Sequence, residues 1–122
     1  MDLGTAFECA LARDPGATAI IDGGVRRSYG EWDREIRALA GGLTGLGLQQ
    51  GDHVVAVMSN RVEMATLYWA CQTAGLIFTP FNWRAASGDI AYVLADADTK
   101  AVVFEDAVAD TVQSAIASCG VD

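Results

Sequence analysis

Residues 53–81 read HVVAVMSNRVEMATLYWACQTAGLIFTPF, and this stretch decides the fold. HVVAVMS is a continuous apolar run with too little alternation for a strand wetted on one face. Such a run suits a parallel strand covered by helices on both sides. NRVE then carries the marks of a helix start, with Asn60 as cap and Glu63 three places on. The helix that follows, as far as Ala74, is apolar nearly all round, which predicts deep burial. Gly75 ends it, and LIFTPFN forms the next strand. Pro80 lacks a backbone donor and therefore belongs at a strand's end or edge.

The same rhythm continues downstream. Ser87 is placed to cap a helix carrying Ile90, Val93, Leu94 and Ala97, and KAVVFE is a third strand. Val108, Val112, Ala115 and Ile116 mark a last helix that Gly120 stops. The order from His53 is βαβαβα, with strands beginning at His53, Leu76 and Lys100. That order predicts an α/β fold, a partial parallel sheet sandwiched by helices through right-handed crossovers. Val121 and Asp122 read as the first step of a further strand, so the natural chain is expected to continue.

Upstream, Leu3, Phe7 and Leu11 share one face of an opening helix from Leu3 to Arg13, stopped by Asp14, Pro15 and Gly16. ATAIID and VRRSY flank Gly23-Gly24, a pair that tolerates the positive φ of a tight turn. This predicts a short, peripheral hairpin. SYGE fits a capping box, with Ser28 and Glu31 bonding each other's backbone amides. Trp32, Ile36, Leu39, Ala40 and Leu43 follow at helical spacing, and GGLTGLG closes that helix.

The totals bound the function. With 122 residues, 52% of them hydrophobic, the chain suits one domain or part of a larger one. Eight basic against sixteen acidic residues give a net charge of −8, which argues against a nucleic-acid surface. Cys9, Cys71 and Cys119 are odd in number and scattered, and His53 is the only histidine, so a zinc site is not expected. Cys71 and Cys119 fall on apolar helix faces, as reduced thiols in a cytoplasmic protein would. MDLGTAFECA does not resemble a signal peptide, and no apolar run approaches a membrane span.

Few motifs survive a chemical test. GGLTGLG closes a helix and precedes a strand, whereas a dinucleotide fingerprint follows a strand and opens a helix. No GxxxxGK[ST] loop or GxSxG elbow occurs, and Lys100 is the only lysine. His53 reads as a solvated loop residue at the mouth of a strand. Asp96 and Asp98 read as a solvated helix end, since a hard cation wants more oxygen ligands than they supply. Glu105 and Asp106 suit the start of a following helix. Asn82, Trp83 and Arg84 remain, expected just past the carboxyl end of a parallel strand, where ligands of open α/β sheets bind. Arg84 could hold a phosphate through its planar fork of donors, or pair with a nearby acid while Trp83 packs over the sheet edge.

SYGEWD, GLGLQQGDHVVAVMSNRVEMATLYWACQTAGLIFTPFNWR and DIAYVLADADTKAVVFE together resemble the amino-terminal portion of the adenylate-forming (AMP-binding) enzymes, from about Leu3 to Glu105. SYGEW is similar to the family's first core motif and AGLIFTPFN to its second. NWR followed by an acidic, helix-opening stretch looks most like bacterial acyl-CoA ligases for fatty or aryl acids. The resemblance implies ATP, Mg2+ and coenzyme A as cofactors of a full-length parent, with a small-molecule carboxylate as substrate. It implies that residues 1–122 form the amino-terminal segment of an AMP-binding domain, ending before the phosphate-binding loop. The family's glycine-rich loop with its lysine, its magnesium-linked glutamate, its ribose-binding aspartate and its late catalytic lysine have no counterpart here. No catalytic or metal residue is therefore assigned, and the segment alone is expected to be inactive and to bind none of these cofactors. Only Arg84 carries over, as a contact near the path of the CoA phosphates. Two other readings stand beside this one: a free-standing, non-catalytic α/β interaction domain, and an adenylating relative with another acyl acceptor. In either case the open sheet edges call for cover, from the rest of the same polypeptide or from self-association.

Overall fold

A computed structural model describes residues 2–120. Its centre is a parallel sheet of β3 (His53–Val57), β4 (Ile77–Phe81) and β5 (Thr99–Phe104), in the order β4-β3-β5. The residues Val54, Val55, Ala56 and Val57 are all fully buried. Val54 and Ala56 face a layer made of α1 (Leu3–Arg13), α2 (Tyr29–Gly45) and α3 (Val62–Ala74). Val55 and Val57 face α4 (Ser87–Asp96) and α5 (Ala109–Cys119), the latter entered through a 3₁₀ turn at Asp106–Val108. A strand covered on both faces has no wet side, so its sequence has no polar alternation. The expected α/β sandwich and the order of its elements are as observed. The further strand expected at Val121–Asp122 lies outside the described residues.

Local chemistry sets the helix starts. The Ser28 hydroxyl accepts from Glu31 N at 3.2 Å, and the Glu31 carboxylate accepts from Ser28 N at 2.9 Å, forming the expected capping box. The helix then buries Trp32, Ile36, Ala40 and Leu43. Trp32 Nε1 donates to Thr66 Oγ1 at 2.9 Å, and that hydroxyl donates to the Val62 carbonyl at 2.7 Å. A buried indole N–H and a buried hydroxyl are thus satisfied together. Phe7 packs its ring against Trp32 and Trp69, at centroid distances of 5.7 and 5.1 Å.

Several local expectations need correction. Asn60 does not cap α3: it is exposed, and Arg61 holds the cap position without a side-chain bond. The Val62 amide instead donates to Asp22 Oδ2 at 2.9 Å, because an acceptor close in space serves as well as one close in sequence. Ser87 is the first helical residue of α4, after a cap position held by Ala86, and no side chain caps that helix. The hairpin of β1 (Thr18–Asp22) and β2 (Val25–Ser28) is its own two-stranded sheet, with Gly23 at φ +56° in its turn. It is short and peripheral as expected, with no fully buried residue, yet it is anchored, for Ala19 and Ile20 pack against the core and Asp22 bonds α3. The third helix is buried on one stripe only, at Thr66, Leu67, Ala70 and Cys71, while Tyr68 and Trp69 are half-buried. His53 is the first residue of β3, not a loop residue, and is half-buried with Nδ1 shielded and unpartnered.

The cysteines divide by depth. Burial pushes the Cys71 thiol up to about 11, so it packs as a small hydrophobe. Cys119 is half-buried against the α4–α5 core, and Cys9 is exposed.

Candidate functional site

Because β3, β4 and β5 run parallel, their carboxyl ends meet at one side of the sheet. There β3 leads into Met58–Arg61, β4 into Asn82–Arg84, and β5 into Glu105. Ligands of open α/β sheets bind at this end. Glu105 is the hub: its carboxylate accepts from Ser59 N at 2.7 Å and Ser59 Oγ at 3.3 Å, with Arg61 Nη1 at 3.8 Å. Its side chain is only 19% exposed, so these bonds replace most of its water.

Beside this hub a groove of about 380 Å³ opens between the hairpin, the start of α3 and the end of β4. Ile20, Tyr68, Phe78 and Pro80 give it apolar walls, and Asp22 and Arg61 add charge at the rim. Asp22 already accepts the Val62 amide, and Arg61 leans towards Glu105. The rim charges therefore hold the strand ends in place.

The NWR stretch forms a turn built by Asn82. Its Oδ1 accepts from Arg84 N at 2.9 Å and its carbonyl accepts from Ala85 N at 3.0 Å. The Arg84 guanidinium lies over the Trp83 ring, 4.7 Å from the centroid, rather than against an acid. A stacked guanidinium keeps its in-plane N–H donors free, the geometry that anion recognition needs.

The structure places the other sequence candidates elsewhere. Asp98, at φ +49°, sits at the amino end of β5, where Lys100 Nζ lies 3.4 Å from its carboxylate. His53 is likewise at the amino end of its strand. Gly45 is the last residue of α2 and Gly47 adopts φ +98°, so GGLTGLG closes a helix as expected. No group of three or more metal-binding side chains occurs among the described residues. Magnesium therefore finds no ready cluster of ligands among the described residues. Sequence reasoning missed the Glu105 hub and the Asp22 cap. Glu105 showed only as an acid after a strand, and nothing in the sequence pointed Asp22 at a helix 40 positions away.

Comparison with known proteins shows the family. The family described as AMP-binding enzyme matches residues 7–121. Feruloyl-CoA synthase of Amycolatopsis is 33% identical over 98 residues, covering 80% of this chain and 20% of that protein. An uncharacterised protein of Mycobacterium tuberculosis is 32% identical over 112 residues, covering 89% of this chain and 63% of that one. Among solved structures, a putative long-chain-fatty-acid CoA ligase from Rhodopseudomonas palustris superposes with a TM-score of 0.90 at 30% identity, over 97% of this chain and 30% of that chain. The chain thus spans about a fifth of the length of the feruloyl-CoA synthase that it matches.

Proposed function

The chain belongs to the AMP-binding enzyme family, and from that premise we propose that it is the amino-terminal portion of an ATP-dependent acyl-CoA ligase. The complete polypeptide joins a small-molecule carboxylate to coenzyme A, with cleavage of ATP to AMP and pyrophosphate and with Mg2+ as cofactor. ATP, when bound, supplies the activation that turns a poor acylating agent into an acyl-adenylate. The parent works in the cytoplasm. One observation carries it: nearly the whole chain matches the family, yet spans only a fifth of a CoA-ligase relative.

Within the parent, residues 1–122 are scaffold. The central sheet and its two helix layers form a rigid support, and Glu105 fixes the turns that leave β3 and β5. Arg84, preset by Asn82 and Trp83, offers its N–H donors to a phosphate of coenzyme A. The phosphate loop, the metal-linked carboxylate and the catalytic lysine lie downstream of this segment. The test is thioester formation by the polypeptide encoded by the whole reading frame, supplied with ATP, magnesium, CoA and a panel of fatty and aryl acids. Acyl-CoA in the mass spectrum supports the reading. Transfer to a carrier-protein thiol, or no adenylation, contradicts it.

The short Mycobacterium relative, 63% of which this chain spans, favours a second reading: a free-standing α/β domain that keeps the scaffold without the chemistry. A reading frame that closes directly after Asp122 supports that alternative.

A further inference from the structure

The groove between β1, the start of α3 and the end of β4 encloses about 380 Å³. That volume falls at the lower end of the range for small-molecule sites, roughly 300–1,000 Å³. Its walls are apolar and stiff. Tyr68 and Phe78 meet edge to face with ring centroids 5.7 Å apart, and Ile20, Val62 and Pro80 line the groove with them. Rings and β-branched side chains have few torsions to lose, so a guest costs little ordering here. None of these residues is fully buried, so each keeps apolar surface for a guest to cover.

Two ionic groups reach the rim, and they differ in how far they are satisfied. Asp22 is half-buried, and its Oδ2 accepts from Val62 N at 2.9 Å, at the amino end of α3 where the helix dipole also offsets its charge. The Arg61 side chain is 61% exposed, and its Nη1 lies 3.8 Å from Glu105 Oε2, beyond hydrogen-bond length. Glu105 is itself committed to Ser59 N and Ser59 Oγ. A guanidinium has five N–H donors, so Arg61 can keep its attraction to Glu105 and still present a fork to a carboxylate. Asn60, exposed on the same rim, adds a carboxamide donor. The nearby Asp22 charge disfavours a dianion such as a phosphate monoester, and a single carboxylate meets less of that repulsion.

We infer that this groove binds a small amphipathic carboxylate, an aryl or medium-chain acid, with its apolar body against Ile20, Tyr68 and Phe78 and its head on Arg61. The site goes beyond the ligase reading and does not rest on it, since every group it uses lies between Ile20 and Glu105.

The test is methyl-resolved NMR of the full polypeptide encoded by the whole reading frame, titrated separately with octanoate, 1-octanol and octylamine. Octanoate should shift the methyl resonances of Ile20, Val62 and Ala65 saturably. Octanol should bind on the order of tenfold more weakly, and octylamine more weakly still. Because the readout is local, octanoate held elsewhere in the polypeptide does not enter it. Arg61→Gln should raise the dissociation constant for octanoate on the order of tenfold and leave that for octanol unchanged, whereas a merely structural role would move both alike. Arg61→Lys should restore part of the preference. Unshifted methyls, equal affinity for octanol and octanoate, or an octanoate affinity indifferent to Arg61 overturn the inference. Acyl-CoA formation without these shifts contradicts this inference alone. Shifts in a polypeptide that forms no acyl-CoA support the inference and contradict the ligase reading.

Discussion

The Glu105 carboxylate accepts the backbone N–H of Ser59 at 2.7 Å, tying the carboxyl ends of β5 and β3 together across 46 positions of sequence. Replacing it tests how firmly the turns are held. Glu105→Ala leaves the sheltered Ser59 amide without its acceptor and should cost about 2 kcal/mol. Glu105→Gln keeps an acceptor oxygen and should cost about half as much. Urea unfolding midpoints measure both, and equal midpoints for wild type and Glu105→Ala would remove the hub.

Thr66 links α2 to α3 through the Trp32 indole. The Thr66→Val substitution preserves shape but strands a buried N–H, at a cost of about 1–3 kcal/mol. Thr66→Ser retains the hydroxyl and should lose less. Tryptophan fluorescence during denaturation reads the change, because the affected ring is one of the three reporters.

The capping box at the start of α2 has a pH signature. The backbone N–H of Ser28, and then its hydroxyl, hold the Glu31 carboxyl below its ordinary value of 4.5. A carboxyl lowered in the folded state stabilises fully above its unfolded value. That contribution fades as pH falls through the lowered folded value. Stability should therefore decline below about pH 4.5, and Glu31→Gln should flatten that part of the decline. Ser28→Ala should cost about 1 kcal/mol at neutral pH.

These bonds differ in how far the sequence exposes them. The Ser28–Glu31 box spans three residues, so its pattern was legible, as was the apolar run of Val54–Val57 that forms the core of the sheet. The SYGEW, AGLIFTPFN and NWR stretches likewise pointed to the family. Contacts joining distant residues left no local trace: Asp22 caps α3 in place of Asn60, and Glu105 binds Ser59. The half-buried flank of α3 was hidden for a related reason. An apolar surface looks the same in sequence whether its cover lies within the chain or outside it. At the site, Arg84 was placed correctly at the carboxyl end of β4, but its stacking on Trp83 appears only in three dimensions.

Arg84→Ala in the complete enzyme should raise the KM for coenzyme A, on the order of tenfold for the loss of one charge-assisted contact. Adenylation should stay nearly intact, because the proposed ligase carries its adenylating groups downstream of this segment. Steady-state kinetics of the two half-reactions separate these effects. Equal loss of both would move Arg84 from phosphate contact to general scaffold.

In the proposed ligase, residues 1–122 supply architecture while the adenylating groups lie downstream. Carboxylate-dependent ATP–pyrophosphate exchange tests it most directly, run on the 122-residue chain and on the polypeptide encoded by the whole reading frame. No exchange above background is expected of the former and sustained exchange of the latter. Turnover by the 122 residues alone, or none by the longer polypeptide, would contradict it.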